Sequence, residues 1–431
     1  MKKSLLKFLF LLLPLSLSSL TGCNKESFTY NYDNFYGICA LTGEYSNGVD
    51  KGLTNDWTKR CVKAMHFKSM RVWISPLDLF SVDSNDELTL SSGYYQVMKD
   101  HIDKCVEAGV VSFDALYTAF IYPADYSHTD GYCVPDPIDD PDMYVRFLNL
   151  MGKASAKIKE LFPQFDIFEP GNEPDGKGDF CIHKDGFHGS AGIQANERFV
   201  FNDEEKASII CDISYYVRKY VREVDPNTKV SIPGLTNYET NPDFIDNLYN
   251  QIESHRLPMG TQYSDTNPDH YFDYLNWHPY SQSNITSGEL DDAWIEIQKR
   301  VYQVVIDHGD EGKPVLFSEI GWTTFNTTGE REEEQSENIG HLFEKGVEKI
   351  RKNLPWVECV YYFRLTNTHF QQYGATSTGG ERSFGMFYHP NDPDHHGAPK
   401  KSAYVIAKLI NGEDYDLDAN LEEYHSPYED W

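Results

Sequence analysis

The chain has 431 residues, of which 40% are hydrophobic and 14% aromatic, so it can bury a large core and is not disordered, collagen-like or a coiled coil. Its 38 basic and 67 acidic residues give a formal net charge of -29, which would repel phosphate backbones and anionic headgroups. Nucleic acid is therefore not expected as a partner. A neutral ligand that stacks on aromatic rings, such as a sugar, is compatible with both the charge and the aromatic content.

The N-terminus predicts export. Lys2 and Lys3 supply a positive start, an apolar stretch runs to Leu20, and the small residue Gly22 lies directly before Cys23. This pattern resembles a bacterial lipoprotein signal, which implies cleavage before the cysteine and its lipidation. The alternative is an ordinary secretory signal with a chance cysteine. We expect a protein of the bacterial cell envelope, at the outer membrane or cell surface, that contacts the membrane only through its lipid.

Beyond the N-terminus, short apolar runs alternate with amphipathic stretches, and the cycle occurs eight times. The apolar runs predict strands near 34–40, 69–74, 110–117, 165–172, 228–234, 272–278, 314–320 and 357–364. The amphipathic stretches predict helices at 54–67, 93–108, 141–161, 204–224, 242–253, 290–308, 331–353 and 399–411. Eight strand-then-helix units favour a (β/α)8 TIM barrel of the α/β class, and a doubly wound open sheet is the competing architecture.

The predicted organisation has four parts. They are a signal peptide at 1–22, a lipid-anchored tether at 23–33, the barrel at 34–411 and an acidic extension at 412–431 that forms either an added strand or a tail. Long segments follow several strands, at 75–92, 118–140, 174–203 and 365–397. These long βα loops are expected to wall a pocket or cleft at one rim of the barrel.

The cysteines fall into two groups. Cys61, Cys105 and Cys211 lie on apolar faces of predicted helices, which indicates buried thiols. Cys133 and Cys181 lie in polar loop segments of an exported chain, so a disulfide between them is an open alternative. The sequence contains no CxxC pair and no HExxH motif, and we expect neither a metal nor a cofactor.

Polar residues end several of the predicted strands, where a (β/α)8 barrel carries its chemistry. The candidates are Arg71 at the end of the second strand, Asn172 and Glu173 at the end of the fourth, His278 and Tyr280 at the end of the sixth, and Glu319 and Trp322 at the end of the seventh. A carboxylate at such a position is costly to bury without a purpose. Two glutamates on one rim suit glycoside hydrolysis, because one group must protonate the leaving oxygen while the other meets the sugar carbon from the opposite face.

Two segments carry a family resemblance. Residues 168–174 read Phe-Glu-Pro-Gly-Asn-Glu-Pro, and residues 318–322 read Ser-Glu-Ile-Gly-Trp. Together with Arg71 and the His-Pro-Tyr of 278–280, they resemble clan A of the glycoside hydrolases, the retaining (β/α)8 enzymes, and most of all families 39 and 5. The resemblance spans about 34–411.

The resemblance implies that Glu173 is the general acid/base and Glu319 the nucleophile of a retaining hydrolase acting on a β-linked oligo- or polysaccharide. Glu319 must stay ionised, which Arg71 and the Tyr280 hydroxyl would favour. Glu173 must hold a proton, and burial together with the charge of Glu319 is expected to raise its pKa. The two carboxyl groups are then expected about 5 to 5.5 Å apart.

The resemblance also assigns supporting residues. Asn172 corresponds to the residue of the clan that hydrogen-bonds the sugar 2-hydroxyl. His278 is expected to donate to sugar hydroxyls or to fix Tyr280, and Trp322 to stack on a sugar or to pack between strand and helix. Glu169 is expected to support the strand or the nearby arginine, with no catalytic role.

The eighth strand departs from the clan, because many members end it with a Trp platform for the sugar and this chain has Phe363 and Arg364 there. Phe363, Phe370 or Tyr373 would have to substitute, and Arg364 would favour an acidic sugar or an ion pair. A non-catalytic, glycan-binding surface lipoprotein on the same scaffold is the main alternative. A metal-dependent hydrolase would need clustered His and Asp ligands, and the strand ends offer only His278.

Overall fold

The computed structural model describes residues 35–40, 53–128, 131–176, 182–184, 200–236, 242–254, 265–280, 292–323, 325–326, 329–330, 346–367, 383–392 and 394–425. The signal peptide, Cys23 and the tether predicted from the sequence lie outside these residues.

Eight parallel strands in the described residues form one sheet, each where an apolar run predicted it. They are β1 (Tyr36–Ala40), β2 (Ser69–Ile74), β3 (Ser112–Tyr117), β4 (Phe165–Glu169), β5 (Lys229–Val230), β6 (Leu275–Asn276), β7 (Val315–Ile320) and β8 (Val357–Tyr362). Their order in the sheet is β6-β7-β8-β1-β2-β3-β4-β5. Isolated parallel bridges from Ser231 to Tyr274 and from Leu235 to Trp277 join the two ends. The sheet therefore closes into a (β/α)8 barrel, and the doubly wound alternative is wrong.

A helix follows each strand of the barrel. The helices are α1 (Asn55–Met65), α2 (Ser92–Glu107), α3 (Pro141–Leu161), α4 (Asp203–Val224), α5 (Asp243–Ser254), α6 (Asp292–Asp307), α7 (Gly346–Asn353) and α8 (Lys401–Asn411). Local sequence sets their first turns. Thr54 caps α1 by accepting from the backbone N–H of Trp57 (3.1 Å), and Asn202 with Glu205 forms a capping box at the start of α4.

Apolar side chains pack in two layers. The outer layer lies between strands and helices and buries large rings such as Trp57, Trp277 and Trp294. The inner cluster, inside the barrel, consists of Cys39, Ile167, Tyr274, Leu316, Cys359 and Tyr361. This inner layer fills the interior, so functional groups are confined to the remaining polar residues of the interior and to the rim.

The predicted buried thiols are confirmed, because Cys61, Cys105 and Cys211 have almost no exposed surface. Cys133 is buried too, with its Sγ 3.5 Å from the Nε2 atom of His183. Cys181 lies outside the described residues, so its disulfide with Cys133 stays a prediction.

The C-terminal extension packs against α1 as a tail and adds no strand within residues 412–425. A short helix spans Leu417–Asn420. Beyond it, the Tyr424 ring lies 5.1 Å from the Trp57 ring, and the Tyr424 hydroxyl is 2.8 Å from Thr54 Oγ1. The tail therefore packs on the first turn of α1.

Candidate active site

Arg71 lies inside the barrel. The strand that carries it continues to Ile74, so the expectation that Arg71 ends the strand is wrong. Its side chain is fully buried, and it reaches toward the rim from the third position of β2. A buried guanidinium must be matched by acceptors, and these are supplied by β4, by the segment after it and by β7.

The Arg71 guanidinium donates to side-chain oxygens of three residues. Its Nε and Nη2 atoms donate to the two carboxylate oxygens of Glu169, each at 2.8 Å. Nη2 also donates to Asn172 Oδ1 at 2.9 Å, and Nη1 donates to Glu319 Oε1. Burial alone would lower the pKa of Arg71, but the charges of Glu169 and Glu319 outweigh it and raise that pKa. Glu169 thus supports the arginine, and Arg71 both orients Glu319 and compensates its charge.

Glu173 is held in an uncommon backbone conformation. Its φ is 44°, in the left-handed region that costs a non-glycine residue of order 1–3 kcal/mol. The backbone N–H of Glu173 donates to the carbonyl of Gly234 at 2.9 Å, which ties the segment after β4 to the segment after β5. The strained residue carries a carboxyl group that is 27% exposed, so the carboxyl is within reach of a ligand.

His278 bridges two predicted site segments. Its Nδ1 lies 2.9 Å from Glu173 Oε1 and 3.8 Å from Glu319 Oε2, and its Nε2 lies 3.1 Å from Ser318 Oγ. The sequence did not anticipate the contact with Glu173. A charged imidazole donates from both nitrogens, and this arrangement offers an acceptor to each of them.

The acid and the imidazole set each other's pKa. Burial would raise the pKa of Glu173, but the hydrogen bond and positive charge of His278 outweigh it and hold that pKa below its usual value. Burial would lower the pKa of His278, but Glu319 and Glu173 outweigh it and raise that pKa. The expectation of a raised pKa for Glu173 is therefore wrong, because it overlooked the buried cation beside the carboxylate.

Three half-buried rings line one side of the carboxylates, and we call them the aromatic wall: Tyr280, Phe363 and Phe384. The Tyr280 hydroxyl lies 3.5 Å from Glu319 Oε2. Phe384 meets Tyr280 with ring centroids 6.1 Å apart and Phe363 at 5.6 Å. The sequence proposed Phe363 but missed Phe384, which lies outside any strand. Phe370 and Tyr373 lie outside the described residues.

Two other predicted residues are turned away from a ligand. Trp322 is only 8% exposed and belongs to the outer apolar layer, which favours its packing role. Arg364 is buried, and its Nε donates to the carbonyl of Thr366 at 3.0 Å. The guanidinium of Arg364 is thus engaged by its own loop.

The barrel brings Glu173, His278 and Glu319 into one cluster. Each offers an atom within 4.8 Å of the atoms offered by the other two. One nitrogen and two carboxylate oxygens could hold a divalent cation, but a proton held between His278 and Glu173 satisfies the same atoms. Arg71, Asn172 and Tyr280 surround this cluster, so the structure gathers every predicted polar site residue at one place.

Comparison with known proteins supports the fold. Neither a protein-family profile nor a curated protein matches the sequence. A family 39 glycoside hydrolase from Bacteroides cellulosilyticus is similar in structure, with 15% identity and a TM-score of 0.54 over 87% of this chain and 63% of that one. The chain has the fold of clan A glycoside hydrolases.

Two further solved structures agree. A GH5_18 protein from Bifidobacterium longum subsp. infantis shares 11% identity at a TM-score of 0.55, covering 87% of this chain and 78% of that one. A GH5_18 variant from Streptomyces cattleya, solved in complex with Manb1-4GlcNAc, shares 13% identity at a TM-score of 0.56, covering 88% and 80%. At such identities the likeness extends to the fold alone, and this chain spans just under two thirds of the Bacteroides protein.

Proposed function

We propose that this protein is a retaining glycoside hydrolase that cleaves a β-linked glycan by double displacement through a glycosyl-enzyme intermediate. One observation carries the proposal: oxygens of Glu173 and Glu319 lie within 4.8 Å of each other. Retaining enzymes keep their carboxyl groups about 5–5.5 Å apart, whereas inverting enzymes need about 6.5–9.5 Å to admit a water molecule. The short separation supports the retaining class.

Glu319 is the proposed nucleophile. Arg71 donates to its Oε1 atom and leaves Oε2, near the Tyr280 hydroxyl, as the attacking oxygen. As Oε2 bonds to the anomeric carbon, the glycosidic bond breaks and its electron pair stays on the leaving oxygen. That oxygen needs a proton at this moment, because an alkoxide is a poor leaving group.

Glu173 and His278 together hold the proton that the leaving oxygen needs. Because the two groups interact strongly, the proton belongs to the pair and not to either residue alone. The proton carried by His278 Nδ1 passes to Glu173 Oε1, 2.9 Å away, and from Glu173 to the leaving oxygen. In the second step Glu173 takes a proton from water as the water attacks the anomeric carbon and releases Glu319, and His278 is protonated again.

The proposed substrate is a neutral glycan. A net charge of -29 disfavours polyanions, and the half-buried aromatic wall offers the apolar surface on which a sugar ring packs. The Streptomyces cattleya protein of the same fold was solved with a disaccharide, which is consistent with this substrate class. Asn172, fixed by Arg71, is the proposed partner of the sugar 2-hydroxyl.

A panel of chromogenic β-glycosides tests the proposal. We expect the wild type to hydrolyse at least one of them and NMR to detect the retained anomer as the first product. Glu319→Gln should lose about 10³-fold or more in kcat while still binding sugar. Glu173→Gln should lose less on substrates with good leaving groups and should be rescued by azide.

Two outcomes would contradict the proposal. A wild type that binds glycans but turns over none of the panel would favour the non-catalytic glycan-binding alternative. A first product of inverted configuration would reject the covalent intermediate even if hydrolysis occurs.

We also propose that Cys23 carries a lipid that anchors the protein to the cell envelope. The support is the signal-like N-terminus and the placement of Gly22 and Cys23. None of the described helices is long and apolar enough to cross a bilayer. Cys23→Ala should move the protein from the membrane fraction to the soluble fraction, whereas the neighbouring Ser27→Ala should leave it membrane-bound; equal fractionation of the two variants would reject the anchor.

A further inference from the structure

Asp114 is a buried carboxyl group that the proposed mechanism does not use. It lies on β3, in register with Arg71 of β2, and it has no exposed surface. Among the described residues, neither of its oxygens has a hydrogen-bond donor. An ionised carboxylate without a donor or a cation is costly inside a protein, so the protonation state of Asp114 needs a physical explanation.

Arg71 cannot be that donor. A guanidinium has five N–H groups, and four of those of Arg71 donate to Glu169, Asn172 and Glu319. A further side-chain hydrogen bond links Arg71 to Cys39, whose own thiol donates to the Ser318 carbonyl at 3.3 Å. The single positive charge is also already shared by two carboxylates, so a third would be uncompensated.

The group that Asp114 contacts is Glu169. Two carboxylates cannot hydrogen-bond, but a carboxylic acid and a carboxylate can. Glu169 is the acceptor of this pair, because its Oε1 already accepts from Arg71 and from the backbone N–H of Gly234 (2.9 Å) and its Oε2 accepts from Arg71. Oε2 therefore keeps one lone pair for a hydroxyl of Asp114.

We propose that Asp114 is a positioning residue that stays protonated and donates its carboxylic O–H to Glu169. The bond fixes Glu169 against Arg71, which in turn holds Glu319. Only this last link, to the nucleophile, rests on the proposed hydrolase function.

The surroundings of Asp114 agree with a neutral acid. Burial and the charge of Glu169 raise its pKa well above the usual value, and Arg71 offsets this only in part. The other titratable groups that face it are Cys359 and Tyr361 on β8. Burial raises the pKa of both, so they too are neutral and supply no charge to pair with an ionised Asp114.

Infrared difference spectroscopy tests the protonation state directly. At neutral pH the wild type should show the C=O stretching band of a buried carboxylic acid, and Asp114→Asn should lack it. Asp83→Asn is the matched control, because Asp83 is exposed and has a lowered pKa, and it should leave the band unchanged. Identical spectra for wild type and Asp114→Asn would overturn the proposal. The band of the wild type should also disappear when alkaline pH ionises the acid.

Stability gives a second test that needs no activity. A folded-state pKa above the unfolded one means that stability is lost as pH rises from the unfolded pKa, near 4, toward the folded pKa. The Asp114→Asn variant has no carboxyl group at this position, so it does not lose stability in this way as pH rises, and its amide can donate to Glu169. Its unfolding temperature relative to wild type should therefore rise between about pH 4 and pH 7. A relative unfolding temperature that stays level or falls over this interval would show that the folded wild type holds an ionised Asp114 and would overturn the proposal.

Kinetics test the positioning role. Asp114→Asn should keep kcat/KM within about threefold of wild type, whereas Asp114→Leu, of similar volume without a donor, should lose about tenfold or more. Equal kcat/KM for the two variants would reject positioning. If no glycoside is turned over at all, the infrared and stability tests still decide the proposal, so its failure is distinguishable from that of the proposed function.

Discussion

The backbone at Gly234 passes close to the imidazole of His278. A Cβ atom there would lie 2.2 Å from His278 Nε2 and 2.9 Å from Ser318 Oγ, and both distances are shorter than a van der Waals contact. Gly234→Ala should therefore push the imidazole away from Glu173. We expect kcat to fall about 100-fold and stability to fall by about 1–3 kcal/mol, measured by steady-state kinetics and urea unfolding.

Gly93→Ala is the matched control for this substitution. Gly93 lies in the first turn of α2, and a Cβ there would meet nothing within 4 Å. Kinetics should be unchanged, and stability should rise by about 0.5–1 kcal/mol because alanine is the better helix former. If Gly234→Ala were as active as Gly93→Ala, the close approach would not govern the site.

Phe384 is the wall residue whose removal should separate sugar binding from chemistry. A Cβ at Gly321, two residues beyond Glu319, would lie 3.1 Å from Phe384 Cδ1, so this ring lies next to the segment that carries the proposed nucleophile. Phe384→Ala should raise KM about tenfold with a smaller change in kcat, and Phe384→Tyr, which keeps the ring, should stay near wild type. Unchanged KM for Phe384→Ala would remove Phe384 from the sugar site.

The candidate site residues could be predicted from sequence because strand ends can be recognised from apolar runs. Glu173 follows one such run, and Glu319 lies near the end of another. The contacts that set the pKa values of these residues could not be predicted from the sequence. The contact between His278 and Glu173 joins positions 105 residues apart. It is made by a Glu173 in the left-handed backbone conformation, which no pattern of residue types predicts. The lowered pKa of Glu173 and the burial of Asp114 beside Glu169 follow from such contacts and were missed for the same reason.

At the scale of elements, strand prediction worked best where the ladder is regular. β2 and β7 match the predicted runs to within one residue. The run predicted at 228–234 shortens to the two residues of β5, with isolated bridges at Ser231 and Gly234. Here the chain departs from regular pairing as it passes His278, and a tertiary contact of this kind overrides local propensity.

His308, which directly follows α6, links the end of that helix to α5 through contacts of its titratable imidazole. Its Nδ1 lies 2.8 Å from Glu253 Oε1, its Nε2 lies 2.9 Å from Asp246 Oδ1, and its ring stacks on Tyr249. Burial would lower the pKa of His308, but the two carboxylates outweigh it and raise that pKa. The charged imidazole therefore stabilises the fold below the unfolded pKa of about 6.5, and this contribution is lost as pH rises through the folded value.

His308→Gln tests this link, because glutamine can keep a hydrogen bond but gains no charge as pH falls. The variant should be less stable than wild type at about pH 5.5, by about 1 kcal/mol or less since the carboxylates are half exposed, and the difference should shrink toward pH 9. Urea unfolding across this range measures it. A pH-independent difference would mean that packing on Tyr249, not charge, accounts for the effect.

For the whole molecule, closure of the barrel is what brings distant strand ends together. In the ring, β5 and β6 lie between β4 and β7, and the joining of β5 to β6 gives Glu173 and Glu319 a common neighbour in His278. Counting eight units predicted this closure, since such repetition favours a barrel. The long loops were predicted to exist, but their conformations depend on side-chain packing at the rim, which alternation of apolar and polar residues does not encode.

The net charge of -29 should make stability depend on salt. Like charges on one barrel repel each other in the folded state more than in the expanded chain, and the screening length falls from about 30 Å at 0.01 M salt to about 10 Å at 0.1 M. At pH 7 sodium chloride should therefore raise the unfolding temperature by about 2 °C or more. Near pH 4.8, the isoelectric point of the sequence, the rise should vanish because the repulsion is gone. A rise of equal size at both pH values would mean that the salt strengthens apolar burial, and the acidic surface would then carry no measurable cost in stability.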